Sequence, residues 1–424
     1  MSIERTDTLI VGGGQAGIAL SEHLTKQDIP HIVLEKNRVA EAWRSGRWDS
    51  LVANGPAWHD RFPNLEFQKC DAEDFAPKEQ VADYLCAYAE AFNAPIRTGV
   101  EALSAMRNET GDFTVQTSAG TIHANRVVAA TGAFQIPSIP PVVPAEADLT
   151  QIHSFNYRNP DQLPDGAVMV VGAGSSGAQI AEELRRAGRR VFLSVGPHDR
   201  PPRAYRNRDF VWWLGVLGLW DVAAQEPGTE HVTIAVSGAY GGRTMDFRRL
   251  GHDGVTLVGL TEAYKDGVLS FADDLQTNVA NGDASYLSML DAADAYVDRM
   301  GINLPEEPEA REFMADPDCL TNPIRQIDLA EEGVTSIIWA TGFRQDFSWM
   351  KVDAFDDKGA PVHQRGVSRE PGIYFLGLPW QSRRGSTFIW GVWHDAKYIA
   401  DQIAIQRAYA QYRGPDERSV DAAE

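Results

Sequence analysis

A chain of 424 residues, 43% of them hydrophobic, is long enough for two or three packed domains. A formal net charge of −20 sets it against nucleic acid and anionic membranes as partners. Three scattered cysteines, Cys70, Cys86 and Cys319, with no C-x-x-C pair, exclude a thiol relay, a zinc ribbon and a secreted disulfide framework. A cytoplasmic protein is expected: residues 1–6 are polar and lead straight into a strand, so no signal peptide is read there. The longest apolar run, residues 210–220, is well short of the roughly 20 residues that span a bilayer and reads as a buried helix or a subunit contact of a homodimer, the alternative being that its tryptophans roof an active site. No H-E-x-x-H spacing suggests a metal.

The first apolar strand, residues 8–11, runs into Gly12-Gly13-Gly14-Gln15-Ala16-Gly17, which opens a segment with helical spacing. In such a G-x-G-x-x-G loop the first glycine makes the turn, the second admits a pyrophosphate against backbone and the third packs helix on strand. The helix N-terminus is left aimed at the anion. The next strand, residues 31–34, ends on Glu35, at the spacing of a carboxylate that accepts both hydroxyls of a ribose, which suits FAD or NAD. A helix is expected over residues 80–92 and a hairpin around Ala119-Gly120. The strand at residues 127–130 stops at Thr131-Gly132, and a Pro-rich linker covers residues 136–144.

A second copy follows: a strand at residues 168–171, then Gly172-Ala173-Gly174-Ser175-Ser176-Gly177. Its next strand ends not on a carboxylate but on Ser194, followed by His198, Arg200, Arg203, Arg206 and Arg208. A missing acid and nearby guanidinium groups suit the 2′-phosphate of NADPH, with Arg200 and Arg203 as the candidate contacts; the plainer reading is a solvated arginine loop. Beyond it come a strand at residues 255–259, a turn at Asp266-Gly267, a helix at 291–300 and a strand at 336–339 ending in Ala340-Thr341-Gly342. A strand at 373–377 and a terminal helix at about 392–412 complete the chain. The fold class expected is α/β, with two Rossmann-like dinucleotide-binding domains, the second inserted into the first. FAD binding falls to residues 1–158 and 329–424, and NADPH binding, with a helical insertion, to residues 159–328.

Beside the two glycine loops, the chain carries Glu35-Lys36, Trp43-Arg44, Thr131-Gly132 followed by Pro137, His153 with Tyr157, Ala340-Thr341-Gly342 and Leu376-Gly377-Leu378-Pro379-Trp380. On these residues it resembles the flavin-containing monooxygenases over essentially its whole length, in particular a small bacterial group and more distantly the plant indole-pyruvate monooxygenases. The family pattern F-x-G-x-x-x-H-x-x-x-F/Y is half present, with Ala147 and Leu149 standing where Phe and Gly are usual. The resemblance implies that NADPH reduces FAD and that the reduced flavin forms a C4a-hydroperoxide with O2. That species inserts one oxygen atom into a small organic substrate. The alternatives are an NADPH oxidase or reductase without oxygen insertion, and a redox-sensing regulator of ion transport.

The cofactor contacts so implied are Gly12, Gly14, Gln15, Ala16, Gly17, Glu35, Lys36, Trp43, Arg44, Thr131, Gly132, Gly172, Gly174, Ser175, Ser176, Gly177, Ser194, Arg200, Arg203, Thr341 and Gly342. Asn54 matches the family's asparagine beside the reactive edge of the flavin, where a neutral amide donates without losing a proton; as a residue it also suits a turn with Gly55-Pro56. His59 is a candidate acid or base and Arg383-Arg384 a candidate receiver of a substrate carboxylate. His153 reads as a structural tie between two backbones.

Overall fold

In the computed structural model, which describes residues 4–224 and 233–412, the first apolar run forms β1 (Glu4–Val11) in the middle of the parallel part of a mixed sheet. The first three residues of the polar start lie outside the described residues. The chain continues through α1 (Gln15–Lys26), β2 (His31–Glu35), α2 (Lys78–Ala91) and β3 (Ile96–Thr98). It then returns through β4 (Ala102–Arg107), β5 (Phe113–Thr117) and β6 (Gly120–Ala129). β5 and β6 form the expected hairpin, and the far end of β6 pairs in parallel with β1. Leu9, Ile10, Val33, Val127 and Val128 are fully buried, as continuous apolar strands are when both sheet faces are covered.

A second sheet begins with β7 (Thr150–His153), β8 (Ala167–Val171), α3 (Ser175–Arg186), β9 (Val191–Ser194) and β10 (Val255–Val258). After α4 (Leu275–Met300) it is completed by β11 (Val334–Trp339), giving the all-parallel order β10-β9-β8-β11-β7. The chain then rejoins the first sheet: β12 (Ile373–Phe375) pairs with β6, and α5 (Ile389–Gln411) packs Val392, Ile399 and Ile403 with Ile18 and Leu24 of α1. The parallel part of the first sheet therefore reads β3-β2-β1-β6-β12 and matches the second over its first four strands, the fifth coming from the chain's later part in the first sheet and from before the glycine loop in the second.

Two strands lie outside the span 159–328 drawn from sequence for the second unit. β7 and β11 both belong to its sheet, which reaches further on both sides because parallel pairing joins segments far apart in the chain. The helix expected over residues 291–300 begins at Leu275; its first half is rich in Asn, Thr and Gly, poor helix formers that packing overrides. Gly282 there leaves room for His198: a Cβ would come within 2.6 Å of the ring's Nε2. The apolar run at 210–220 splits into a helix at Phe210–Val216 and a 3-10 turn at Leu219–Asp221, with Trp213 buried against Tyr286 and Leu290 of α4. Among the described residues no helix is long and apolar enough to cross a membrane, and no group of three or more metal-ligating side chains gathers.

Candidate functional site

The two glycine loops are built alike. Gly12 and Gly172 hold φ of +119° and +118°, and a Cβ on either would collide with a carbonyl oxygen, that of Ala130 at 2.3 Å or of Ala340 at 2.5 Å. Those carbonyls belong to the two strand ends that the sequence marks with Thr-Gly. Ala130 N–H donates to Val11 O and Ala340 N–H to Val171 O, each at 2.8 Å, which brings Thr131-Gly132 and Thr341-Gly342 beside their respective loops. α1 and α3 start at Gly14 and Gly174 with no side-chain cap; the first-turn N–H groups of α1 keep their affinity for an anion, whereas at α3 that of Ser175 is taken by a carbonyl.

The mouths of the loops differ. Nothing lies within 4 Å of a Cβ built on Gly14, leaving a cradle beside the backbone of Gln15, Ala16 and Gly17. Glu35 stands next to it: one carboxylate oxygen accepts from Gly13 N–H at 2.8 Å and the other from Asn37 N–H at 2.8 Å. Gln15 links the cradle to the start of α5 by donating to Thr387 O at 2.7 Å, and accepts from Trp43 Nε1–H at 3.2 Å. Lys36 is exposed, whereas Arg44 is turned to Asp83 at 3.1 Å. At the second loop, Ser175 donates from both N–H and Oγ to Ile234 O at 2.8 Å, so the 233–236 segment lies across that mouth. Ser176 remains half-buried beside it.

The arginine cluster expected after Ser194 is not an open one. Ser194 is buried, its hydroxyl donating to Gly259 O at 2.9 Å and accepting from Thr261 N–H at 3.0 Å. Arg200 is 2% exposed and held by Asp283 at 2.7 Å, with Tyr286 and Phe313 against its guanidinium. Arg203 pairs with Asp209. Neither guanidinium is left free for a phosphate, because a buried cation takes the nearest carboxylate to offset its lost hydration. What remains of the sequence argument is the strand end without an acid.

Arg203 instead serves Asn54, donating from Nη1 to its backbone carbonyl. Gln179, in the second turn of α3, donates from Nε2 to Asn54 Oδ1 at 3.0 Å and to Val236 O at 2.7 Å. With its Oδ1 so occupied, Asn54 presents an NH2 group that has no partner among the described residues. Side chains of the second unit thus orient an amide belonging to the first. Gln179 was not anticipated from sequence. A cavity of about 410 Å³ opens beside this segment, lined by Val52, Cys70, Phe75, Gln80, Gly238 and Tyr240.

His59 follows on the same loop, 6% exposed and paired with Asp60, its ring against those of Trp220 and Trp390. Arg383 is committed to Asp221. Arg384 is half-buried over Trp380 and forms no ion pair among the described residues; burial lowers its pKa, against the pull of Asp199. His153 ties backbone segments together, Nε2 to Gly342 O at 2.9 Å and Nδ1 to Phe155 N–H at 3.1 Å.

Residues 9–209 match the family model of the pyridine nucleotide-disulphide oxidoreductases. Over 402 residues the chain is 35% identical to an uncharacterized CzcO-like oxidoreductase from Geobacillus kaustophilus, covering 94% of this chain and 98% of that one. It is 24% identical to the indole-3-pyruvate monooxygenase YUCCA1 of Oryza sativa over 442 residues, 98% of this chain and 94% of the relative. A flavin-containing monooxygenase from Stenotrophomonas maltophilia has the same fold, with a TM-score of 0.66 at 18% identity over 95% of this chain and 99% of that one.

Proposed function

Because the chain belongs to the family of the CzcO-like oxidoreductases and the flavin-containing monooxygenases, we propose that it is an NADPH-dependent flavoprotein monooxygenase acting on a small organic molecule. When bound, FAD supplies the electron transfer and the oxygen chemistry. The first unit, residues 4–129 with 350–411, would hold FAD. Its open cradle at Gly14 fits a pyrophosphate and Glu35 fits a ribose. The second unit, residues 150–339, is inserted in the first and would take NADPH on its own glycine loop, where Ser194 puts no negative charge near a 2′-phosphate. The Asn54 amide would donate a hydrogen bond at the oxygen-reacting edge without giving up a proton. Substrate would approach through the cavity beside Val52 and Phe75.

The observation that carries this reading is the joint hold on Asn54: one donor amide, free at its NH2, fixed by Gln179 and Arg203 from the other unit. A catalytic group shared by two nucleotide-binding units belongs where their ligands meet. The test is anaerobic reduction of the purified yellow protein by each coenzyme. NADPH is expected to reduce the flavin at least about tenfold more efficiently than NADH, because the strand end carries no acid to repel the 2′-phosphate, and Ser194→Glu is expected to reverse the preference. Equal reduction by both coenzymes, or a protein that retains no flavin, would remove the assignment.

A further inference from the structure

The loop that carries Asn54 closes on Asp60. The carboxylate accepts from Gly55 N–H at 2.9 Å through Oδ2 and from His59 Nδ1 at 2.9 Å through Oδ1, while the N–H groups of His59 and Asp60 both turn back to Pro56 O. A carboxylate acceptor on Nδ1 fixes the hydrogen there and leaves the lone pair on Nε2. That Nε2 is buried and has no hydrogen-bond partner among the described residues. The ring lies against Trp220, with centroids 5.1 Å apart and planes at 20°, and against Trp390, at 5.5 Å and 28°, the two tryptophans standing 6.0 Å from each other on one side of it, and Trp58 meets it edge-on at 5.4 Å. His153 spends both nitrogens, on Gly342 and Phe155, as does His31, on Ser21 and Ile29; His198 also leaves a buried Nε2 without a partner among the described residues, but its Nδ1 is set by the carbonyl of Gly196 and no carboxylate backs it.

We propose that His59 is a catalytic base whose Nε2 takes the proton of a weakly acidic O–H, N–H or S–H group on the substrate, with Asp60 as its positioning residue. The inference rests on the monooxygenase reading. The tryptophans suit a substrate with a small aromatic or apolar body. The proton passes to Nε2 and the bonding pair stays on the substrate heteroatom, which becomes the nucleophile. Asp60 balances the imidazolium, and after oxygen transfer the proton on Nε2 goes to the second oxygen atom, which leaves as water. Sealing the nitrogen from solvent keeps that proton out of exchange with water. Asp60 also holds Gly55, so one carboxylate fixes both the base and the turn that presents Asn54. The other charged or titratable groups around the cage are Arg61, which follows Asp60, the Asp221–Arg383 pair behind Trp220 and Trp390, and His394 against Trp390.

The test uses the oxidised FAD-loaded protein without NADPH and reads difference absorbance with 4-nitrophenol, 4-nitrothiophenol and 5-nitroindole as O–H, S–H and N–H probes. The protein is expected to bind at least one probe as its anion, moving the ionisation midpoint down by about one pH unit or more. His59→Gln should bind the same probe in its neutral form. Asp60→Asn, which keeps the imidazole but replaces the charged, acceptor-only carboxylate with a neutral amide that can also donate to Nδ1, should ionise it less. Nitrogen-15 NMR of labelled histidine, with His59 assigned by its loss in His59→Gln, should show the Nδ1-protonated tautomer, and a mixture in Asp60→Asn. Absence of the probe anion with the unmodified protein, or an equal anion signal in His59→Gln, overturns the proposal. Because no turnover is involved, failure here is distinguishable from failure of the monooxygenase reading, which rests on NADPH and O2.

Discussion

Asn54 was legible as a motif match; what orients it was not. Its amide points where it does because Gln179 occupies Oδ1 and Arg203 holds the backbone, two contacts made only when α3 and the 199–209 segment fold against the loop. No spacing in the sequence ties residue 54 to residue 179. The reverse failure is seen at Arg200 and Arg203, where clustered arginines suggested a phosphate but the carboxylates of Asp283 and Asp209 claim them. Sequence shows where charges lie along the chain and not which are neutralised in space. Asn54→Ala is expected to retain FAD and accept hydride normally, yet to lose about a hundredfold in oxygen transfer, roughly 3 kcal/mol for one preorganised donor, and to release hydrogen peroxide instead. Gln179→Leu should act in the same direction more weakly, by about tenfold, since it frees Asn54 to flip without removing it. Peroxide released per NADPH consumed measures both; unchanged coupling in Asn54→Ala would reduce that residue to a turn former.

At the scale of elements, the repeat was the most readable feature because its causes are local. Each strand, glycine loop and helix lies within some 20 residues, and the third glycine of each loop is needed for contact: a Cβ on Gly17 would stand 1.9 Å from Gly12 O, and one on Gly177 1.9 Å from Gly172 O. Neither helix could then sit on its strand. The two substitutions should nonetheless fail differently. Gly17→Ala is expected to yield colourless or readily bleached protein, and Gly177→Ala to stay yellow while its reduction by NADPH slows by at least about tenfold. Visible absorbance after desalting and anaerobic reduction rates separate them, and the opposite pattern would exchange the two nucleotide assignments. The first half of α4 was not readable, because its Asn, Thr and Gly residues are helical only through what they pack on, Gly282 against His198 among them.

At the scale of the whole molecule, the two sheets exchange no strands, yet each gathers segments from distant parts of the chain, and that closure left β7 and β11 outside boundaries drawn by motif alone. The same closure buries imidazoles. His23, His31, His153, His198, His363 and His394 all have pKa values lowered from 6.5, in each case chiefly because burial disfavours the imidazolium. Between those lowered values and about 6.5 the unfolded chain binds more protons than the folded one, so folding opposes protonation there. Stability is therefore fully present above about pH 7, falls as the pH drops through 6.5, and levels off only below the folded pKa values. Each histidine can contribute a slope of up to about 1.4 kcal/mol per pH unit in that window. Carboxylates held by partners, such as Glu22 with Lys26 and Asp294 with Arg311, have lowered pKa values and lose their contribution only at more acid pH, below the range in question. Thermal melts of the FAD-loaded protein at constant ionic strength should thus show Tm falling by several degrees between pH 7.5 and 5.5. His153→Asn should flatten part of that fall, even if it lowers Tm at pH 7.5 by losing the tie to Gly342. A Tm that holds steady or rises toward pH 5.5 would mean that relief of the −20 net charge outweighs the buried histidines.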